Sequence, residues 1–262
     1  MVAGRIARAL VPLALGAAVL GFWEWAVRAW EVPPFVLPPP SSIATALASD
    51  WRILADSTWL TLTITLQAFC LAVVSGVALA MLFAQSRLLA AALYPYAVVL
   101  QVTPIVAIAP LVIIWVGYER VNLALLILAW VVAFFPILSN TTLGLAAVDP
   151  NLRDLFRLYG ASRWQVVWRL QFPSALPYIL AGMKVSGGLA LIGAVVAEFV
   201  AGSGTASGLA WRIIESGNRL NIPRLFAALF LLAALGVMIF ALLSWVQKRL
   251  LGRWHESEVG RP

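Results

Sequence analysis

The stretch NLRDLFRLYGASRWQVVWRLQFP (residues 151–173) places Arg153, Asp154, Arg157, Arg163 and Arg169 between two long apolar runs. With Asp149 it holds six charged side chains. Each costs about 2.5 to 3.5 kcal/mol near the centre of a bilayer, so inserting the stretch would cost roughly 18 kcal/mol. The stretch therefore stays in water. It also carries the punctuation of two short helices. Asp149 is placed to cap the first, with Pro150 at its first position and Leu152, Leu155, Phe156 and Tyr159 on one face. Gly160 stops that helix, Ser162 to Gln165 forms a capping box for the second, and Phe172-Pro173 is expected to close it. The resulting helix-glycine-helix element has an apolar face that needs a cover. The inner leaflet, the chain's own spans and a groove on a soluble partner all remain open.

Outward from this element the chain is an integral membrane protein. Hydrophobic residues make up 63% and charged residues 11% of its 262 positions, and the mean hydropathy is +0.95. A soluble domain carries about a quarter charged residues. Charge-free windows at 57–86, 88–118 and 121–148 each exceed the roughly 20 apolar residues that span a bilayer as helix. Three shorter or interrupted runs, 9–30, 174–198 and 225–246, bring the expected number to six. Strands of a barrel would alternate apolar and polar residues instead. Bulky Phe22, Trp23 and Trp25 stand where a signal-peptide cleavage site needs small residues, so the first run is read as an uncleaved span. The fold class is all-α, a polytopic helical membrane protein.

The net charge of +7 reports topology and not nucleic acid, because the basic residues gather at alternate span ends. A cytoplasmic N-terminus puts eleven Lys and Arg inside, among them Arg87 and the arginines of 149–173, against six outside. Segments 1–8, 149–173 and 247–262 are then cytoplasmic, and 31–56 and 199–224 external. In the first external segment, Ser41 or Ser42 is expected to cap a short surface helix bearing Ile43, Leu47, Trp51 and Leu54. Cys70, alone in an apolar window, and His255, alone in a polar tail, are read as a buried small residue and a solvated one, with no metal site between them.

The spacing within 149–173 resembles the coupling loop of ATP-binding-cassette importer permeases, whose pattern is Glu-Ala-Ala, three residues, Gly, nine residues, Ile-x-Leu-Pro. Asp154 stands at the Glu, Leu155 and Phe156 at the alanines, Gly160 at the Gly, and Leu170 to Pro173 at the last motif. Thr103 to Glu119, Phe134 to Leu145 and Leu176 to Phe199 resemble the nitrate, sulfonate and taurine branch, which also includes importers of pyrimidines and riboflavin. The resemblance implies one permease domain over 1–262 in a bacterial inner membrane, paired with a second permease copy. It implies two ATPase subunits that grip the hairpin at Asp154, Leu155, Phe156, Tyr159, Gly160, Ala161, Ser162, Leu170 and Pro173, and an extracytoplasmic binding protein that delivers solute. The chain has no G-x-x-x-x-G-K-[ST] loop, so it is expected to hold no cofactor, with ATP and Mg bound by the partner.

Further residues bear on a solute path. Pro104 and Pro110 interrupt the third run beside Gln101 and Thr103, as a cavity lining or as an ordinary kink. Glu198 ends the fifth run, as a path residue or a plain interfacial carboxylate, and Lys184 is expected to snorkel to the cytoplasm. Gly187, Gly188 and Gly193 permit close helix approach, between two copies or within one. The loop 202–224 is read as an outer gate, a binding-protein contact or a surface helix. A stand-alone ion-coupled carrier or channel would place ionisable groups deep in its spans, and the central windows have none. A membrane anchor for a peripheral enzyme is a third reading.

Overall fold

The computed structural model describes residues 2–201 and 207–251, with side chains from residue 11 onward. Among the described residues every regular element is helical. The expectations placed on Gly202 to Ala206, on the C-terminal tail with Arg253, His255 and Arg261, and on the side chains of Arg5 and Arg8 lie outside them. Five helices are long and apolar enough to cross a membrane, or six if one sharply bent pair counts as a span. The described residues fall into two compact units, drawn from 1–58 with 208–232 and from 59–207 with 233–262.

The first unit holds helix α1 (Val2–Ala29), helix α2 (Pro40–Ser49) and the start of α3 (Trp51–Gln85). The indole of Trp23 stacks near Phe226 and Phe230 at ring distances of 5.8 and 6.3 Å. Glu24, the one acid of the first apolar run, accepts hydrogen bonds from the Ser41 amide (2.9 Å), the Ser41 hydroxyl (2.8 Å) and Arg28 Nε (2.7 Å). Neither Ser41 nor Ser42 caps α2, contrary to what the sequence pattern suggests. Its N-cap is Pro39 with Pro40 at the first helical position, because Ser41 is already committed to Glu24 and Ser42 bonds back to the Pro39 carbonyl. The helix does bury Ile43, while Trp51 is exposed at the start of α3.

The second unit is built on α3, α6 (Val121–Ala146) and α9 (Phe172–Ala201), with α4 (Arg87–Val102) and α5 (Ile105–Val116) against them. Two apolar clusters hold it together. One joins Ala72, Phe83, Leu138 and Ile179, and the other Ile64, Ala109, Leu128 and Ala197. Alanine recurs at these contacts because small side chains let helix backbones approach where lipid removes the hydrophobic drive for association. Ser186 adds a bond from its hydroxyl to the Ala133 carbonyl at 2.7 Å. Mid-span Trp130 finds a partner too, donating to Ser75 Oγ at 3.0 Å. Cys70 lies exposed on the flank of α3, not buried as its residue type suggests.

The third apolar window does not run straight. α4 and α5 meet at a bend of 102° across Thr103 and Pro104, far beyond an ordinary kink. The residue before a proline is pushed out of the helical region, and Thr103 is extended at φ −69° and ψ 125°. Its hydroxyl donates to the Val99 carbonyl at 2.6 Å, which helps satisfy the helix end inside an apolar surrounding. Pro110, by contrast, stays within α5 and does not interrupt it.

Candidate functional site

The polar hairpin forms with the caps its residues encode. In α7 (Pro150–Leu158) the Asp149 carboxylate accepts the Asn151 amide at 2.8 Å with Pro150 at the first position. Gly160 ends the helix at φ +67°, a left-handed conformation that a side chain strains. In α8 (Arg163–Val166) both halves of the capping box are present: the Gln165 amide donates to Ser162 Oγ, and the Ser162 amide donates to Gln165 Oε1.

Phe172-Pro173 does not close the second helix. A π-helical turn over Val167–Gln171 joins α8 directly to α9, with the Phe172 amide donating to the carbonyl of Val167, five residues back. The wider turn relieves the clash and missing donor that Pro173 would otherwise impose on an α-helix. Arg163–Ala201 is therefore one rod of 39 residues. The hairpin's second arm and the fifth apolar run are a single element.

The hairpin's apolar face is uncovered among the described residues. Leu152 and Leu155 are each 45% exposed and Tyr159 is 83% exposed. Leu155, Phe156, Tyr159, Ala161, Gln165 and Arg169 line a cleft of about 290 Å³ between the two arms. Asp154 lies exposed with Arg157 3.8 Å away, and Leu170 turns inward and is buried. Thus Asp154, Leu155, Phe156, Tyr159, Gly160, Ala161 and Ser162 cluster at one projecting tip, whereas Leu170 and Pro173 belong to the rod behind it.

A second candidate site lies at the broken helix. Gln101 and Thr103 line a cavity of about 300 Å³ with Leu100 and Ile105, facing Val131 and Val132 of α6 and Leu189, Ile192, Gly193 and Val196 of α9. Pro104 caps α5 at its edge, and neither Pro110 nor Glu198 lines it. The apolar wall residues escape sequence reading because nothing in their type separates them from lipid-facing ones. Only the two polar groups beside a proline mark the place.

Glu198 is packed inside the protein near the end of α9. It is 1% exposed and accepts a hydrogen bond from Thr61 Oγ1 at 2.7 Å. Lys184 sets its ammonium over the Phe240 ring at 4.5 Å, a cation–π contact inside the unit. The glycines divide. A side chain at Gly193 would meet the Ala129 backbone of α6 at 2.8 Å, and one at Gly187 would strike Leu243 of α11 (Ile222–Leu251), so both serve packing within this chain. Gly188 faces open space.

Outside the apolar runs, α10 (Leu209–Asn218) carries a compact charge network. Arg212 donates to Glu215 at 2.6 Å and to Ser57 Oγ at 2.9 Å, Arg219 pairs with Glu215 at 3.1 Å, and Arg224 donates to Asp50 at 2.6 Å. The hydrogen bond from Arg212, reinforced by the charges of Arg212, Arg219 and Arg224, holds the Glu215 carboxyl below its ordinary range against the opposing effect of burial.

Comparison with known proteins bears on both sites. The profile of the binding-protein-dependent transport system inner membrane component matches residues 72–252, which include the broken helix, the hairpin and α9. A riboflavin transport system permease from Chloroflexus aurantiacus is 35% identical over 91% of this chain and 88% of its own length. A formylaminopyrimidine transport permease from Halalkalibacterium halodurans is 31% identical over 97% of this chain and 99% of its own. Permeases named for aliphatic sulfonates, taurine and nitrate match at lower identity. Among solved structures, a chain of the MetNI methionine ABC transporter, in inward-facing conformations, superimposes with a TM-score of 0.61 at 20% identity, covering 76% of this chain and 95% of that one.

Proposed function

The chain belongs to the family of binding-protein-dependent transport system inner membrane components, and from that premise we propose how its parts divide the work of an ATP-binding-cassette importer. As the permease subunit it spans the membrane several times and forms the path for solute. A separate ATPase supplies the energy, holding ATP and Mg, and an extracytoplasmic binding protein delivers the solute. In this reading a second copy of the chain completes the path, both termini and the hairpin face the cytoplasm, and each hairpin is gripped by one ATPase subunit.

The continuity of the rod Arg163–Ala201 carries this reading. Its first turns belong to the hairpin, and Leu189, Ile192, Gly193 and Val196 further along it wall the cavity. At 1.5 Å per residue the start of the rod at Arg163 and the cavity wall at Gly193 lie roughly 45 Å apart. A push on the tip at Leu155, Phe156 and Tyr159 passes across the cleft to Gln165 and Arg169 of the rod and along it to the cavity wall. Gln101 and Thr103 supply the polar contacts of an otherwise apolar path, which suits a small solute that is selected mainly by its binding protein. The riboflavin and formylaminopyrimidine names of the relatives favour a vitamin or vitamin-precursor heterocycle.

Removal of residues 152–165 tests the lever. The altered chain is expected to insert in the membrane while losing both co-purification with its ATPase and solute uptake. Full uptake by that chain contradicts the reading.

A further inference from the structure

The hairpin has a second face, and it is basic. Arg87, Arg153, Arg157 and Arg163 line a pocket of about 510 Å³ together with Gln85 and Gln171. The Arg153 Nε is buried without a hydrogen-bond partner. The carboxylate of Asp154 stands 3.8 Å from Arg157, but both side chains are largely exposed, so the pair neutralises little. No ion pair joins Arg87, Arg153 or Arg163 to an acid among the described residues. Four guanidinium groups around one concavity repel each other unless an anion is drawn in, and an orphaned buried N–H costs free energy until it finds an acceptor.

The pocket's depth says which anion. Gln85 is the last residue of the apolar helix α3, Arg87 opens α4, and Gln171 immediately precedes the apolar length of α9. It thus sits where apolar helices end, at the level of lipid headgroups. Leu88, 80% exposed, follows Arg87 and offers an acyl chain an apolar track, while Trp164 and Trp168 lie exposed nearby in the chain, as interfacial aromatic residues do. The amides at the start of α4 add a partial positive charge.

We propose that this pocket binds the phosphate headgroup of an anionic phospholipid. The chemistry is that of arginine forks on phosphate oxygens, with Arg153 Nε as one donor. A lipid wedged between α4 and the hairpin's base supports the lever from the membrane side and leaves the apolar tip free for the ATPase. Which leaflet supplies the lipid rests on the orientation proposed above, but binding itself does not.

The test uses the full chain purified in detergent and native mass spectrometry, with phosphatidylglycerol and phosphatidylcholine of identical acyl chains as probes. Phosphatidylglycerol is expected to bind at least roughly tenfold more tightly. Arg153→Gln with Arg163→Gln is expected to abolish the preference, and Arg163→Lys, which retains the charge, to keep most of it. Equal retention of the two lipids, or a preference unchanged in the double variant, overturns the proposal. Displacement of the lipid by inorganic phosphate alone marks a free-phosphate site and also overturns it. So does a double variant that loses ATPase co-purification when the unaltered chain shows no lipid preference, because the pocket then serves an acidic face of the partner. Lipid preference and ATPase co-purification are separate readouts, so failure of the lever reading and failure of this one are distinguishable.

Discussion

Helix α10 and the hairpin are both amphipathic, and they end differently. Helix α10 buries Leu209 and Ala210 completely and pairs its charges, Arg212 and Arg219 with Glu215, while Arg224 beyond it pairs with Asp50. The hairpin leaves both largely open: Leu155 and Tyr159 point outward, Arg157 has only a loose, exposed partner in Asp154 at 3.8 Å, and Arg153 and Arg163 form no ion pair among the described residues. One segment is complete within the described residues. The other leaves its apolar face open among the described residues. Amphipathicity alone does not separate them, whereas the fate of the apolar face does.

This contrast is sharpest if each segment's apolar face is made acidic. Leu209→Asp places a charge at a fully buried position and is expected to cost more than about 4 kcal/mol, read as loss of folded protein from the membrane. Leu155→Asp with Tyr159→Asp is expected to leave thermal stability within about 1 kcal/mol. The same pair is expected to weaken association with the proposed ATPase by about 2 kcal/mol or more, roughly thirtyfold, read by titration of the purified subunits. Equal stability losses at the two sites would erase the distinction.

The charge network of α10 makes a pH-dependent contribution to stability. Because Glu215 is held below its ordinary range in the folded chain, its contribution is present above the ordinary carboxylate range and is lost as pH falls through the depressed value. Thermal unfolding of Glu215→Gln is expected to lie below that of the unaltered chain at neutral pH and to converge with it in acid. A gap that stays constant with pH would contradict this assignment.

Smallest is the effect of a single cap. Ser162→Ala removes the acceptor for the Gln165 amide and is expected to destabilise the hairpin's second arm by about 1 kcal/mol, seen as faster amide exchange over 163–166. Unchanged exchange would show that the rod is held by its packing alone.

How much of this is legible in the amino-acid sequence follows the reach of the interactions. Asp149 with Pro150, Gly160, and Ser162 with Gln165 act within a few residues of one another, so the hairpin can be read from its own residues. The break at Thr103-Pro104 is equally local, although its 102° is not. Long-range partners are hidden. Glu198 is buried against Thr61, 137 residues away, and Ser41 is withdrawn from capping by Glu24, 17 residues before it. The expected stop at Phe172-Pro173 fails because a π turn accommodates the proline, a backbone adjustment with no residue signature of its own. The cavity walls are invisible for a simpler reason: valine, leucine and isoleucine look the same whether they face a solute path, another helix or lipid.

Under the proposed function a separate motor covers the hairpin tip from the cell interior. Cys70 is the only cysteine, so Cys70→Ser followed by Tyr159→Cys places a single thiol at the tip. In inside-out vesicles an impermeant maleimide is expected to label that thiol readily, and added ATPase subunit to protect it severalfold. Labelling that proceeds only from the opposite face of the membrane, or that the ATPase leaves untouched, would contradict the account.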